Sequence, residues 1–294
     1  MTPAIDAVTG VVLVDKPAGP TSHDVVALAR RAFGNRRIGH TGTLDPFASG
    51  LLLLCVGVAT RLAEYLTHLP KTYTAVLRLG EQTDTDDRTG AVVARSEAWR
   101  DLEPTQLVAA LERLLGARLQ VPPGYSAKKV AGERLYRLAR RGETVAPAPV
   151  EVEITRIRLT TWTPPEAGFE VTCSSGTYIR AIARDVGTDL GVGAHLRELR
   201  RTTIGPHLVS AAIPLESLRE TPAAAVMLAP AAALPHLPRI EVDDVAAGWL
   251  RHGRAAPAPE SLNAPVVLVL WRNRLLAVGA AAHGRLQPAK VFDD

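Results

Sequence analysis

The spacing of apolar and polar positions along this chain changes repeatedly, and each change marks an element. Val11 to Val14 is an unbroken apolar run, the pattern of a buried strand from Gly10 to Asp15, closed by the turn Lys16-Pro17-Ala18-Gly19-Pro20. Ser22 is placed to cap a helix reaching about Phe33, with Val25, Val26, Leu28 and Ala29 as its apolar stripe. A Gly/Thr-rich loop from Gly39 to Gly50 precedes the apolar strand Leu51 to Val56. Lys71 to Leu79 alternates with a period of two, so Tyr73, Leu77 and Leu79 share a face. Residues 104–115 read as a helix with Pro104 in its first turn, and a basic helix is expected around Glu133 to Arg141. Strands at 150–160 and 168–174 precede a helix from about Tyr178 to Leu190, whose stripe is Ile179, Ile182, Val186 and Leu190. An Ala/Pro-rich stretch from Thr221 to Pro238 reads as a domain junction. Beyond it lie a short helix, Val242 to Leu250, and strands near 265–270 and 274–279. Strands and helices at irregular spacing predict a mixed α+β body, not a regular βαβ repeat.

Composition narrows the classes. With 294 residues, 47% hydrophobic and 22% charged, the chain is long enough for a large domain and a smaller one, and its composition is not that of a disordered protein. The longest apolar run, Leu51 to Ala59, is far short of the ~20 residues a membrane helix needs. No secretory signal is recognised at the N-terminus, and two cysteines, Cys55 and Cys173, without a CxxC pair point to a reducing cytoplasm and away from a zinc site. Charge becomes informative when divided by region. Residues 16–40 carry five bases against one acid and residues 128–141 six against one, whereas the whole chain is only +4. Basic blocks set in an otherwise acidic chain suggest a polyanionic partner; solvated helix faces would give the same count.

Candidate chemistry concentrates in two places. From Ile38 to Thr60 the only formal charge is Asp45, inside Gly39-His40-Thr41-Gly42-Thr43-Leu44-Asp45-Pro46-Phe47-Ala48-Ser49-Gly50. Its glycines admit close approach, and Pro46 biases Asp45 toward an extended, presented conformation. A carboxylate against Leu51 to Leu54 needs compensation, unless it simply closes an Asp-Pro turn on its own backbone. The second place is Ser175-Gly176-Thr177-Tyr178-Ile179-Arg180. With Thr177 as N-cap, Arg180 falls where a capping box has Glu and the helix dipole disfavours a cation. A solvated surface Arg is the competing reading. Thr83 to Gly90 is calcium-loop-like, but Arg88 occupies a ligand position and the closing Glu is absent. No P-loop, dinucleotide fingerprint, HExxH or GxSxG is present, so neither cofactor nor metal is expected.

In order along the chain, these segments resemble the TruB type of tRNA pseudouridine-55 synthase over roughly residues 10–210. Lys16 to Ser22 is similar to the family's KPxGxTS opening, Gly39 to Gly50 to its GHTGTLDPxAxG loop, and Lys71-Thr72-Tyr73 to its KxY strand. Thr83 to Asp87, Pro122 to Lys129 (with Gly124 where the family has Met), Ser175 to Arg180 and Gly193 to Arg201 continue the pattern.

The resemblance implies an α+β synthase domain over 1–235, with a basic RNA-clamping insertion at about 121–145, followed by a small β-rich, PUA-like RNA-binding domain over 238–294. It implies Asp45 as nucleophile or base at a flipped-out uridine 55 in the T-loop of tRNA. Arg180 would pair with Asp45 and keep it ionised, Tyr73 would stack on the uracil, and Leu199 would line the pocket. His40 would fill the gap left in the T-loop, Asp87 would contact the flipped nucleotides, and Lys16 and Pro17 would buttress the floor. Action on the T-arm of tRNA, without metal, cofactor or membrane, is the resulting expectation; the cysteine usage points to the cytoplasm, and with no amphipathic dimer stripe a monomer is the default. A tRNA-folding chaperone in which catalysis is secondary is the alternative.

Overall fold

The computed structural model describes residues 8–125 and 147–292, with the backbone alone of two short strands at Lys129–Val130 and Glu133–Arg134. The expected basic helix at 133–141 therefore meets a short strand at Glu133–Arg134, and the rest of it lies outside the described residues.

Among the described residues, eleven strands form one mixed sheet. Its framework is β1 (Gly10–Lys16), β2 (Ile38–His40), β3 (Ser49–Val56), β4 (Lys71–Leu79), β5 (Gly116–Gln120), β6 (Val150–Thr163), β7 (Glu166–Cys173) and β8 (Ala194–Ile204). From the short strand Ile213–Pro214 the order is β1, β3, β8, β4, β7, β6, β5. β8 lies antiparallel to β4, and at Arg200–Arg201 it runs parallel to Ser49–Gly50 of β3. Among the helices that pack on this sheet are α1 (Ser22–Phe33), α2 (Pro104–Glu112) and α3 (Ile179–Asp189).

β3 shows why an unbroken apolar run was needed. Leu52, Leu54 and Val56 pack with Val25, Val26 and Ala29 of α1, whereas Leu51, Leu53 and Cys55 face a second cluster on the other side. A strand buried on both faces cannot alternate apolar with polar.

That second cluster joins the two parts of the chain. Residues from 239 onward form a five-stranded sheet in the order β9 (Arg239–Glu241), β11 (Ala264–Trp271), β12 (Arg274–Ala282), β13 (Arg285–Val291), β10 (Ala256–Pro257), with α4 (Asp244–Arg251) against it. Leu268, Val278 and Phe292 of this part pack with Leu51 and Leu53, and so do Ala233 and Leu234. The Ala/Pro-rich stretch is thus a packed seam and not a free linker; His207 Nε2 and the Ala233 carbonyl lie 2.9 Å apart within it. No helix among the described residues is long and apolar enough to cross a membrane.

Candidate active site

The loop between β2 and β3 is pinned on several sides, leaving the Asp45 side chain to point into a cavity. Ser22 Oγ donates to the Leu44 carbonyl at 3.2 Å and accepts from the Leu44 amide at 2.9 Å. Ser22 is therefore not the cap of α1. Thr21 fills that role, its side chain accepting from the Asp24 amide while Asp24 answers the Thr21 amide. The Gly19 amide donates to the Pro46 carbonyl at 2.7 Å. Lys16, fully buried, directs its ammonium at the carbonyls of Pro17 and Pro20, at 2.8 and 2.9 Å, and at Pro46 at 3.5 Å. Burial and Arg201 outweigh the pull of Asp45 and lower its pKa to about 8. Pro17 itself is exposed and reaches the site only through its carbonyl.

From the far side, Arg201 donates to Leu51 O at 2.8 Å and to Gly42 O at 3.1 Å. Gly50 makes this approach possible: it sits at φ +105°, and a Cβ there would fall 2.2 Å from the Arg201 carbonyl oxygen. Replacing Ser22 by Ala leaves the buried Leu44 amide unmatched, so we expect a loss of about 1–3 kcal/mol, read by denaturant unfolding, together with a slower reaction.

Arg180 enters from the second helical position of α3. The sequence suggested Thr177 as cap, but the capping residue is Tyr178, which offers no side-chain bond of its own. The buried Gln120 at the end of β5 does the work, accepting from the Tyr178 amide at 2.8 Å and donating to its carbonyl at 3.0 Å. Arg180 is only 4% exposed. Its Nε lies 3.0 Å from Asp45 Oδ2, poorly aligned for a hydrogen bond, and its Nη2 donates to Asp45 Oδ1 at 3.4 Å. Nη1 lies 3.4 Å from Asp87 Oδ2 and donates to Thr85 O, while Nη2 also donates to Tyr125 O. Two carboxylates and two carbonyls thus answer a cation that the helix dipole disfavours.

The cavity has a volume of about 260 Å³, and Asp45, Tyr73, Arg180, Leu199, Lys71 and Arg201 are among its lining residues. Tyr73 and Arg201 are register partners on β4 and β8, and Leu199 sits two residues before Arg201. Burial pushes the Tyr73 hydroxyl up, opposed by the nearby Arg201 guanidinium.

Burial also pushes the Asp45 carboxyl above its ordinary value, and Asp87 adds to the rise; Arg180 pulls it down without cancelling the shift. The Asp45 side chain keeps 35% of its exposure, through the cavity, so water tempers this shift. Arg180 therefore lies beside Asp45 as the resemblance implies, but it does not hold the carboxyl below its ordinary value: burial outweighs it and the net direction is up.

Asp87 and His40 stand elsewhere. Asp87 is 4% exposed, its carboxylate accepting from Thr85, Thr89 and the Thr89 amide, and it faces Arg180 instead of the cavity. His40 is half-buried edge-on to His23, with burial and the neighbouring bases lowering its pKa to about 4, and it is absent from the cavity lining. The sequence reading missed Arg201, Lys71 and Gln120. Only the place of Arg201 and Lys71 within shared motifs could have signalled them; Gln120 carried no signal.

Residues 30–179 match the N-terminal domain of the TruB family pseudouridylate synthases, and residues 180–229 the C-terminal domain of tRNA pseudouridylate synthase B. This chain belongs to the TruB family. It is accordingly a pseudouridine synthase, an isomerase. The division between the two TruB segments falls inside α3, so Asp45 and Tyr73 belong to one and Arg180 and Leu199 to the other. Among curated relatives, tRNA pseudouridine synthase B of Thermobifida fusca is 45% identical, the alignment covering 96% of this chain and 98% of the relative. That of Gloeobacter violaceus is 44% identical with the same coverage. Among solved structures, one of a Cbf5–Nop10–Gar1 complex aligns at a TM-score of 0.76 and 26% identity, over 98% of this TruB chain and 86% of the other.

Proposed function

We propose that the chain converts uridine 55 in the T-loop of tRNA into pseudouridine, with Asp45 as nucleophile or base on a nucleotide swung out of its helix. The observation that carries this reading is the convergence of Asp45, Arg180, Tyr73 and Leu199 on one recessed cavity. A carboxylate held there cannot reach the ribose of a stacked nucleotide, so the base must come to it, at a cost of a few kcal/mol. The relatives named tRNA pseudouridine synthase B support tRNA as the RNA.

In this reading Tyr73 stacks on the uracil and Leu199 closes the pocket behind it. Lys16 and the Pro17 carbonyl fix the floor. His40, outside the cavity, meets the T-loop where the base has left. Asp87, committed to Arg180, acts by holding that arginine and not by touching RNA. The insertion at about 121–145 and a PUA-like part at 238–294 grip the tRNA around a catalytic part at 1–235. The enzyme works as a cytoplasmic monomer, and an isomerisation that moves no electrons to or from the substrate calls on neither metal nor cofactor.

The test is a T-arm transcript treated with the enzyme and mapped for modified positions. Pseudouridine at position 55, and none when that uridine is replaced by cytidine, is expected. Modification elsewhere only, or release of free uracil, would sink the proposal.

A further inference from the structure

The cavity holds more positive charge than Asp45 can answer. Arg201 is 1% exposed and Lys71 is 5% exposed, and both line it. They converge on Gly42, where a Cβ would lie 3.6 Å from Arg201 Nη1 and 3.7 Å from Lys71 Cε. Among the described residues neither has a carboxylate partner. Arg201 spends donors on the Leu51 and Gly42 carbonyls, and Lys71 donates to the carbonyls of Thr67 and Leu69, at 2.7 and 2.6 Å. The acids near the site, Asp45 and Asp87, are engaged by Arg180. A third feature lines the same cavity: Thr41, next in the chain to Gly42 and 1% exposed, has a buried hydroxyl with no hydrogen-bond partner.

Buried cations without counter-charge are costly in the resting protein, and an orphaned buried hydroxyl adds to that cost. Both become favourable if negative charge arrives during the reaction. It does so in the proposed isomerisation, on which this inference rests. The N1–C1′ bond breaks with its electron pair leaving on N1, and the charge spreads to O2 and O4 of the ring. C5 then bonds C1′ and loses its proton to a base, while N1 takes up a proton from water, so that product and substrate are isomers. We propose that Arg201 and Lys71, with the Thr41 hydroxyl, form an electropositive end of the cavity that stabilises the uracil anion between bond breaking and bond making. Groups set in place before the charge appears are the kind that act on the transition state more than on the bound substrate.

The experiment compares the full-length wild type with Arg201→Gln and Lys71→Met on T-arm RNAs carrying either uridine or 4-thiouridine at the reacting position. Tritium release from C5 is followed under single-turnover conditions. Sulfur at position 4 holds negative charge more readily than oxygen, so the 4-thio ring needs less help from the protein. On uridine RNA, Arg201→Gln should slow the reaction about 100-fold and Lys71→Met about 10-fold, with RNA affinity unchanged. On 4-thiouridine RNA both deficits should shrink several-fold. Deficits of equal size on the two RNAs would mean that these residues only support the loop. A loss confined to RNA affinity would mean that they hold a phosphate instead. Either result overturns the inference. Lys71→Met carries the test should Arg201→Gln fold poorly, because Lys71 does not bond the Asp45 loop. Wild-type turnover of uridine RNA checks the underlying assignment separately.

Discussion

Asp45→Asn should form pseudouridine about 10⁴-fold more slowly than the wild type, at the upper end of what one positioned acid–base group supplies, while binding T-arm RNA as tightly. The same variant should be at least as stable at pH 7.5. The sign follows from the direction of the Asp45 shift, which is upward because burial disfavours the charged form. The wild type gives up stability as pH rises from the unfolded value through the higher folded one, and above both it carries the full cost of an ionised Asp45. Asn carries none of it. A thermal melt at pH 7.5 should therefore place the variant level with or above the wild type. A marked drop in melting temperature would show that the carboxylate is structural.

Arg180→Met should have the next largest effect, and it should appear in two measurements. Asp87 is buried against Arg180, and removing one partner of a buried pair leaves a charge without compensation. We expect about 3 kcal/mol of destabilisation, seen as a fall in melting temperature of roughly 5 °C. Activity should fall about 10³-fold. Arg180 also pulls the Asp45 carboxyl downward, against burial, so its removal lets that carboxyl rise further. In the proposed reaction the rate needs ionised Asp45 and is therefore expected to climb with pH through its folded pKa. In Arg180→Met this acid limb should move to higher pH. A limb that stays in place while the rate falls would separate Arg180 from Asp45. Arg180→Lys, which keeps the charge but loses the fork that spans Asp45 and Asp87, should be intermediate in both measurements.

Asp45 and Arg180 stood out from the residues alone because each broke a local rule, although an Asp-Pro turn and a solvated arginine competed; their roles, and the places of Tyr73 and Leu199, came from the family resemblance. Asp45 was the sole charge in a long neutral stretch, and Arg180 put a cation at the positive end of a helix. The elements that could be read had a clean period, as in Lys71 to Leu79, or were buried on both faces, as in β3. The strand Ala194–Ile204 had neither. His195, Arg197, Glu198, Arg200 and Arg201 make it look solvated, and irregularities between Leu196 and Glu198 and between Arg201 and Thr203 disturb its alternation. Yet it lies beside β4 in the sheet and carries Leu199 and Arg201 into the cavity. A buried arginine bonded to carbonyls cannot be told from a surface arginine by residue type alone.

Caps were misplaced for a related reason. Thr21 and Ser22 are both capping residues, and only Asp24, three positions after Thr21, favours the first; Ser22 is then free to hold Leu44. At α3 the cap comes from Gln120, 58 residues before Tyr178, and nothing local announces it.

In the reaction proposed above, one carboxylate lining this cavity rearranges one uridine. That reaction is tested most directly by tritium release from a T-arm RNA labelled at C5 of uridine 55 alone, with wild type and Asp45→Asn side by side. The wild type is expected to release one tritium per RNA, with the uracil retained in the strand, and Asp45→Asn none within the same time. Release at the wild-type rate by Asp45→Asn, or loss of the whole base, would contradict it.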